Sequence, residues 1–429
     1  MTDTASADAT NPTAAPTTAA PTTDLDPFNP PAQDVRYELM AEMRETCPVA
    51  SFSEGRWYAA THEGVLTGLK NVDKFVGSFI DTSKLPEDEV PISAIPEPQH
   101  GKIRRVINGV LAPHRTMHAD SFIYELAHSL LDEAVASGTE GVANETEGVA
   151  VRFDLVKEYV DPIPSTVIAH VLGVPTEDFN RFRRWSDELL ENMNTQLAGE
   201  PLTLSQTHPE FAAYIQHHID IRRAAPEPPD DLIGRFIAAD IDGEPLSDAM
   251  IRTQAINLII AGNETTRNWL GNFFATLAQS PDLYGEVRAH PEIRETFMEE
   301  SLRRDCPVQI VARAAMEDTV IENRHIPVGD QVVFGIASAN RDENVFQNPA
   351  EFDFARPDLK KHLAFGAGPH ICPGATLARL EARIALEVFC EKIASFEVAP
   401  DYEFQYNPVF WALGLRSLPV NCVKAIYPE

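Results

Sequence analysis

Apolar residues recur along most of the chain at spacings of three and four, the mark of helices with one buried face. Tyr37, Met40 and Met43 predict a helix over 36–45, and similar patterns predict helices over 121–136, 156–172, 179–197 and 209–223. Gly173-Val174-Pro175 ends the third of these, and a proline cluster at 226–229 closes the section. Ser247 is placed to cap a longer helix that runs without proline to about residue 280. Pro291, followed by Glu292 and Glu295, suits another helix start. Residues 49–52 and 57–60, split by Glu54-Gly55, predict a hairpin. Further β-rich runs lie at 308–312, 319–322 and 331–336, and 407–418 reads as a hairpin with Phe410 and Trp411 at its tip.

Between 78 and 98 stand Pro86, Pro91, Pro96 and Pro98, which exclude a helix or a central strand and predict a long shaped loop. A helix then opens at His100, and Arg104, four residues on, shares its face. By spacing alone this is a solvated polar face, with Lys102, Arg105, His114 and Arg115 adding positive charge nearby. Residues 2–23 contain no aromatic residue and no Leu, Ile or Val, so residues 1–24 read as a disordered Ala/Thr/Pro-rich tail and 25–429 as the folded part. TEGVA occurs at 139–143 and again at 146–150, a duplicated surface insertion.

Composition narrows the function. A net charge of −30 lacks the basic footprint of nonspecific nucleic-acid binding. The five cysteines are odd in number and scattered, with no Cys-x-x-Cys, which argues for a reducing, cytoplasmic setting and against disulfides or a zinc ribbon. No run approaches the ~20 apolar residues of a membrane span, and no secretory signal opens the chain.

The most informative chemistry lies in FGAGPHICPGA, residues 365–375. Cys372 stands at the mouth of a helix, where unpaired N–H groups and the macrodipole favour thiolate over thiol. Glycines at 366, 368 and 374 let the backbone fold closely around the sulfur. His370 and Cys372, two apart in extended chain, face one flat ligand. In the long helix, Glu264, Thr265 and Thr266 interrupt buried-helix sequence; a carboxylate there needs a partner or a purpose, and threonine can also bend the helix. Glu300 and Arg303 are spaced to pair, a contact worth only ~0.3–0.5 kcal/mol if exposed.

Phe365, Gly366, Gly368, His370, Cys372 and Gly374 fill every fixed place of Phe-Gly-x-Gly-x-His-x-Cys-x-Gly, and the segment resembles the ligand loop of the cytochrome P-450 superfamily, the soluble bacterial-type haem-thiolate monooxygenases. Ala261 to Thr266 resembles that family's Ala/Gly-Gly-x-Asp/Glu-Thr-Thr/Ser, His100 and Arg104 its His-x-x-x-Arg, and Glu300 and Arg303 its Glu-x-x-Arg. The resemblance implies a mainly α fold with a smaller β-rich region in one domain, binding haem b (iron protoporphyrin IX) through Cys372. It implies that His100, Arg104 and Arg313 hold the propionates, that Phe365 and His370 belong to the haem site, and that Thr265 and Glu264 handle oxygen and protons. Arg356 is the natural third member of the Glu300–Arg303 clamp. The implied activity is hydroxylation of a hydrophobic small molecule with dioxygen and electrons from an iron–sulfur ferredoxin and its NAD(P)H-dependent reductase. That donor is expected to dock near Lys102, Arg105, Lys360, Lys361, His362 and Arg379. Phe79, Ile80, Ile92, Leu258, Ala261, Val308, Ile310, Phe410 and Trp411 are the expected substrate contacts. A peroxide-driven enzyme and a haem-based gas sensor or carrier are the alternatives; the first is disfavoured by the acid–alcohol pair.

Overall fold

The computed structural model describes residues 21–77, 79, 81–112, 119–140, 150–196, 201–227 and 229–425, with the backbone alone at 140 and 191–196. Ile80, His114, Arg115, most of the tail and most of the TEGVA repeat lie outside the described residues.

The fold is mainly helical and is built around the helix Asp248–Ala278. Its 31 residues extend about 45 Å at 1.5 Å per residue. Ser247 caps it, its Oγ accepting from the Met250 N–H at 3.0 Å. Beyond the first turns the helix is buried nearly all round, with Trp269, Leu270, Phe273, Phe274 and Leu277 in the core. Such a helix needs neighbours on every side; Pro162–Leu172, Phe179–Gln196, Pro209–Ala224 and Ala375–Lys392 supply them.

The β-rich side is a five-stranded mixed sheet in the order Val49–Ser53, Arg56–Ala59, Gln331–Gly335, Ile310–Ala315, Phe75–Gly77. Only Arg56–Ala59 and Gln331–Gly335 run parallel. A four-stranded sheet joins Ile393–Val398, Pro419–Lys424, Val151–Asp154 and Thr139–Glu140. Just ahead of Asp24, Thr22 already forms a bridge with Ser51.

Several elements differ from the sequence pattern for identifiable reasons. The run 156–172 is not one regular helix. Val156–Val160 is a wide turn in which the Asp161 N–H donates to the Val156 carbonyl at 2.8 Å, and the regular helix starts at Pro162. Pro162 and Pro164 have no N–H to continue a regular ladder. The strand expected from 308 begins at Ile310, while Val308 only bridges Ala412. The strand expected to reach 336 stops at Gly335, where the helical turn Ile336–Ala339 begins. The 407–418 hairpin is held by a Tyr406–Leu415 bridge and by the Asn407 N–H donating to the Gly414 carbonyl at 2.8 Å.

The proline-rich loop is shaped as expected, into short turns at Thr82–Lys84, Glu87–Glu89 and Ile92–Ala94. Buried Gln254 of the long helix pins it, accepting from the Ile92 N–H and donating to the Val90 carbonyl, both at 2.8 Å. The Glu300–Arg303 pair is fully buried rather than superficial, with Arg303 Nη2 2.7 Å and Arg356 Nε 3.2 Å from Glu300 Oε1. Arg303 also donates to the carbonyls of Asn340 and Pro349, and Arg356 to that of Gln347. The clamp therefore ties the segment around 340–356 to the helix Arg294–Arg304 and sets the path of the chain into the cysteine loop.

Candidate functional site

The cysteine loop is a backbone cradle. Gly366 and Gly368 adopt φ of 73° and 71°, the left-handed region that favours glycine. At Gly368 a Cβ would also come within 2.9 Å of the Leu69 carbonyl oxygen, so the residue is fixed by space as well as by conformation. The Cys372 N–H donates to the Phe365 carbonyl at 2.8 Å, closing the loop. The helix Ala375–Lys392 starts just beyond. Burial pushes the Cys372 thiol up, while the N–H groups of Gly374 and Ala375 and the charges of Arg104 and Arg379 pull it down. The net direction is upward because burial dominates, while the helix-mouth N–H groups act in the direction expected of them. The donors stand where expected, but burial outweighs them, and a thiolate here calls for a cation at sulfur.

Phe365, His370 and Cys372 line a cavity of about 1160 Å³ of atom-free space together with Arg313, Thr265, Leu258, Ala261 and Val308. His370 stacks on His100, ring centroids 3.9 Å apart and planes 30° from parallel. Burial, with the charges of Arg313, His100 and Arg104, holds His370 down to about 3, so it is neutral. His100 is 1% exposed; its Nδ1 meets Glu97 Oε1 at 2.8 Å, and its buried Nε2 has no partner among the described residues. Arg104 donates from Nη2 to the Ile371 carbonyl and from Nε to Asn108 Oδ1 at 3.0 Å.

Arg313 is lowered to about 10 by burial. Its Nη1 donates to its neighbour's Ala312 carbonyl at 3.1 Å, and no carboxylate pairs with it among the described residues. Gly77 makes room for it, since a Cβ there would stand 2.6 Å from Nη1. A buried guanidinium without an anion is costly. Together Arg313, Arg104 and the orphaned His100 Nε2 form a set that two carboxylates of one bound molecule would complete. The donor set, the flat cradle and the single sulfur fit a haem.

The acid and the alcohol face different ways. Thr265 faces the cavity, its Oγ1 donating back to the Ala261 carbonyl at 2.7 Å. Glu264 is fully buried on another side of the helix, paired with Arg267 and accepting from Asn268 Nδ2 at 2.9 Å. Burial pushes its carboxyl up against the pull of Arg267 and Asn268. A second, polar cavity of about 1100 Å³ of atom-free space reaches Glu264 past Asp161, Arg183, Asp187 and Arg267.

The structure does not bring all the expected substrate contacts to the first cavity. Leu258, Ala261 and Val308 line it; Ile80 is outside the described residues. Ile310 and Phe410 instead belong to a separate core cluster, against which Phe79 and Trp411 pack. The reason is strand alternation: Val311 and Arg313 face the cavity, so Ile310 and Ala312 face the other side of the sheet. Phe410 and Phe79 stack edge to face there, centroids 5.5 Å apart. Ile92 is buried among core residues of the pinned loop. Leu111, Ile168 and Val311 line the cavity and were not singled out; alternation with Arg313 would have found Val311, whereas nothing local marks Ile168.

Of the six basic groups expected to meet an electron donor, three are already tied to acids: Lys102 to Asp242, and His362 and Arg379 to Glu299. Arg105, Lys360 and Lys361 are exposed. Ile371, adjacent to the cysteine, is 50% exposed. No described helix is long and apolar enough to cross a membrane.

A family model described as Cytochrome P-450 matches residues 97–408. Similar curated proteins include the biotin biosynthesis cytochrome P-450 of Bacillus subtilis, 32% identical over 76% of this chain and 78% of its own length. Among solved structures, CYP109Q5 of Chondromyces apiculatus aligns with a TM-score of 0.77 and 31% identity, covering 92% of this chain and 97% of the other. CYP109E1 of Bacillus megaterium, solved in complex with testosterone, aligns with a TM-score of 0.75 and 28% identity, covering 90% and 98%.

Proposed function

The chain belongs to the cytochrome P-450 family of haem-dependent monooxygenases, and from that premise we propose that it hydroxylates an uncharged hydrophobic small molecule with dioxygen and electrons from a ferredoxin and its NAD(P)H-dependent reductase. The carrying observation is one cavity lined by Cys372, Thr265 and Arg313, the last with no carboxylate partner among the described residues.

In this reading the cofactor is haem b. Cys372 would hold its iron through sulfur, Phe365 and His370 would border the ring, and His100, Arg104 and Arg313 would hold the propionates. The haem, when bound, supplies dioxygen activation and the oxidising power for a C–H bond. The chain's own work is placement, water exclusion and proton supply. Thr265 holds a hydroxyl at the cavity wall, and Glu264 supplies protons from the polar cavity on the far side of the helix.

The choice of an uncharged substrate follows from the lining. Among the described residues, the cavity's charged or titrating side chains are Arg313, His370 and Cys372, all committed to the cofactor in this reading, and the substrate side offers Leu111, Ile168, Leu258, Ala261, Val308 and Val311. Among the described residues, a carboxylate-bearing ligand would find no cation of its own there. The steroid bound by the Bacillus megaterium neighbour is in keeping with this class. The donor would dock around Arg105, Lys360, Lys361 and Ile371, and the folded chain would work in the cytoplasm. The acid–alcohol pair favours dioxygen over peroxide as oxidant.

The test is to screen neutral lipophilic compounds for the optical shift that accompanies loss of iron-bound water, then to turn over each hit with labelled dioxygen, ferredoxin, reductase and NAD(P)H. Product carrying one labelled oxygen atom is the expected result. Hits confined to carboxylic acids, or product formed from peroxide and never from dioxygen, would overturn it.

A further inference from the structure

Arg267 lies among three carboxylates, and one of the contacts is incomplete. Its Nη2 pairs closely with Glu264, and its Nη1 lies 3.2 Å from Asp187 Oδ1. Its Nε lies 3.5 Å from Asp161 Oδ1, and neither of those two buried atoms makes a hydrogen bond among the described residues. Asp161 is 3% exposed, and its other oxygen, Oδ2, lies 3.4 Å from Arg183 Nε. The groups facing this carboxyl are therefore Arg267, Arg183, Asp187 and Glu264, drawn from the long helix and from Phe179–Gln196.

Asp161 owes its position to the irregular turn before it. The wide turn Val156–Val160 shifts the chain by one residue, the kind of insertion that re-aims a side chain within a helix. Pro162 then fixes the start of the next helix, and the Asp161 carbonyl accepts from Ser165 Oγ at 3.0 Å. A carboxylate buried beside a polar cavity and left short of a hydrogen bond is not explained by packing alone.

We infer that Asp161 is a positioning residue for proton delivery: its unfinished contact with Arg267 closes when Glu264 turns toward the cavity, so the guanidinium keeps a buried anion beside the half-exposed Asp187. The inference rests on the proposed monooxygenase reading. With Glu264 as sole buried partner, Arg267 would hold it as a fixed ion pair and oppose any turn. A second anion on the other edge of the same guanidinium makes the two arrangements closer in energy. Burial pushes Asp161 up to about 6, against the pull of Arg267 and Arg183, so the carboxyl remains ionised enough at neutral pH to serve.

The test compares Asp161→Asn, Asp161→Glu and Arg183→Gln as haem-loaded proteins. The first readout is the infrared carboxylic-acid band that Glu264→Gln removes, followed against pH. Asp161→Asn leaves Arg267 with Glu264 as its one buried anion beside the half-exposed Asp187, so that band should vanish at a pH lower by about one unit. Arg183→Gln removes a charge that helps keep Asp161 ionised, so it should weaken the hold of Asp161 on Arg267 and move the band the same way by a smaller amount. The second readout is substrate oxidised per NAD(P)H consumed, expected to fall several-fold in Asp161→Asn and to recover in Asp161→Glu. Unchanged band pH and unchanged coupling in Asp161→Asn would overturn the inference. If that variant does not accumulate, an unmoved band in Arg183→Gln overturns it instead. Should the wild-type protein form no product from dioxygen, the functional reading fails, while the infrared arm still decides whether Asp161 governs Glu264.

Discussion

Individual side chains here separate what the fold needs from what a ligand needs. Glu300, Arg303 and Arg356 satisfy one another and nearby carbonyls, so their cluster is complete without any bound molecule. Arg313 and His100 are not complete. Replacing Arg313 by Leu should therefore act in opposite senses: it removes a desolvated charge and should stabilise the ligand-free protein by ~1–3 kcal/mol, yet weaken retention of haem. Melting curves of the two forms and haem content per chain measure both. Equal destabilisation of both forms would show that Arg313 has an anionic partner in the protein itself. A second expectation concerns Glu299, held down to about 2 by hydrogen bonds from Arg379 and His362 against the opposing effect of burial. A carboxyl lowered on folding stabilises the protein above its unfolded value, near 4.5, and loses that contribution as pH falls through about 2. Glu299→Gln should thus cost about 3 kcal/mol at pH 7, with wild type and variant converging only as pH falls through about 2. A gap that persists unchanged into acid would contradict the pairing.

At the scale of elements, the long helix and the cysteine loop were legible in the sequence because their signals are local. A capping serine, a proline-free apolar run and glycines around one cysteine all act within a few residues of themselves. The substrate wall was less legible. Whether Ile310 or Val311 faces the cavity depends on the register of the strand Ile310–Ala315, which is set by its pairing with the distant strands Gln331–Gly335 and Phe75–Gly77. Phe79 and Phe410 are as apolar as a pocket would require, yet they meet Phe28 in another cluster; hydrophobicity marks burial and not address. The Asp161–Arg267 contact joins residues far apart in sequence, and its wide turn has no signal beyond two prolines. One element-scale consequence can be checked. Gln254→Ala should free the loop over 82–94 by deleting two buried hydrogen bonds, each worth roughly 1 kcal/mol. Hydrogen exchange in that loop should rise several-fold while the long helix stays protected; equal exchange in both proteins would mean that the prolines alone fix the loop.

Across the whole molecule, a net charge of −30 surrounds a small exposed basic set beside the cysteine loop. Steering of an acidic donor must then come from a local field, which salt screens within about 10 Å at 0.1 M. Lys360→Glu combined with Lys361→Glu should slow reduction by a ferredoxin about tenfold or more at low salt, with the gap narrowing as salt rises. Equal rates at all salt concentrations would move the docking site elsewhere. The proposed function depends on Cys372 binding iron as a thiolate, which the N–H groups of Gly374 and Ala375 and the charges of Arg104 and Arg379 favour against the effect of burial. The direct measurement is the absorption spectrum of the reduced, haem-loaded protein under carbon monoxide, taken beside that of Cys372→Ser. A long-wavelength thiolate band in the wild type, absent from the variant, is the expected result; no such band in the wild type, or the same band in both, would contradict the account.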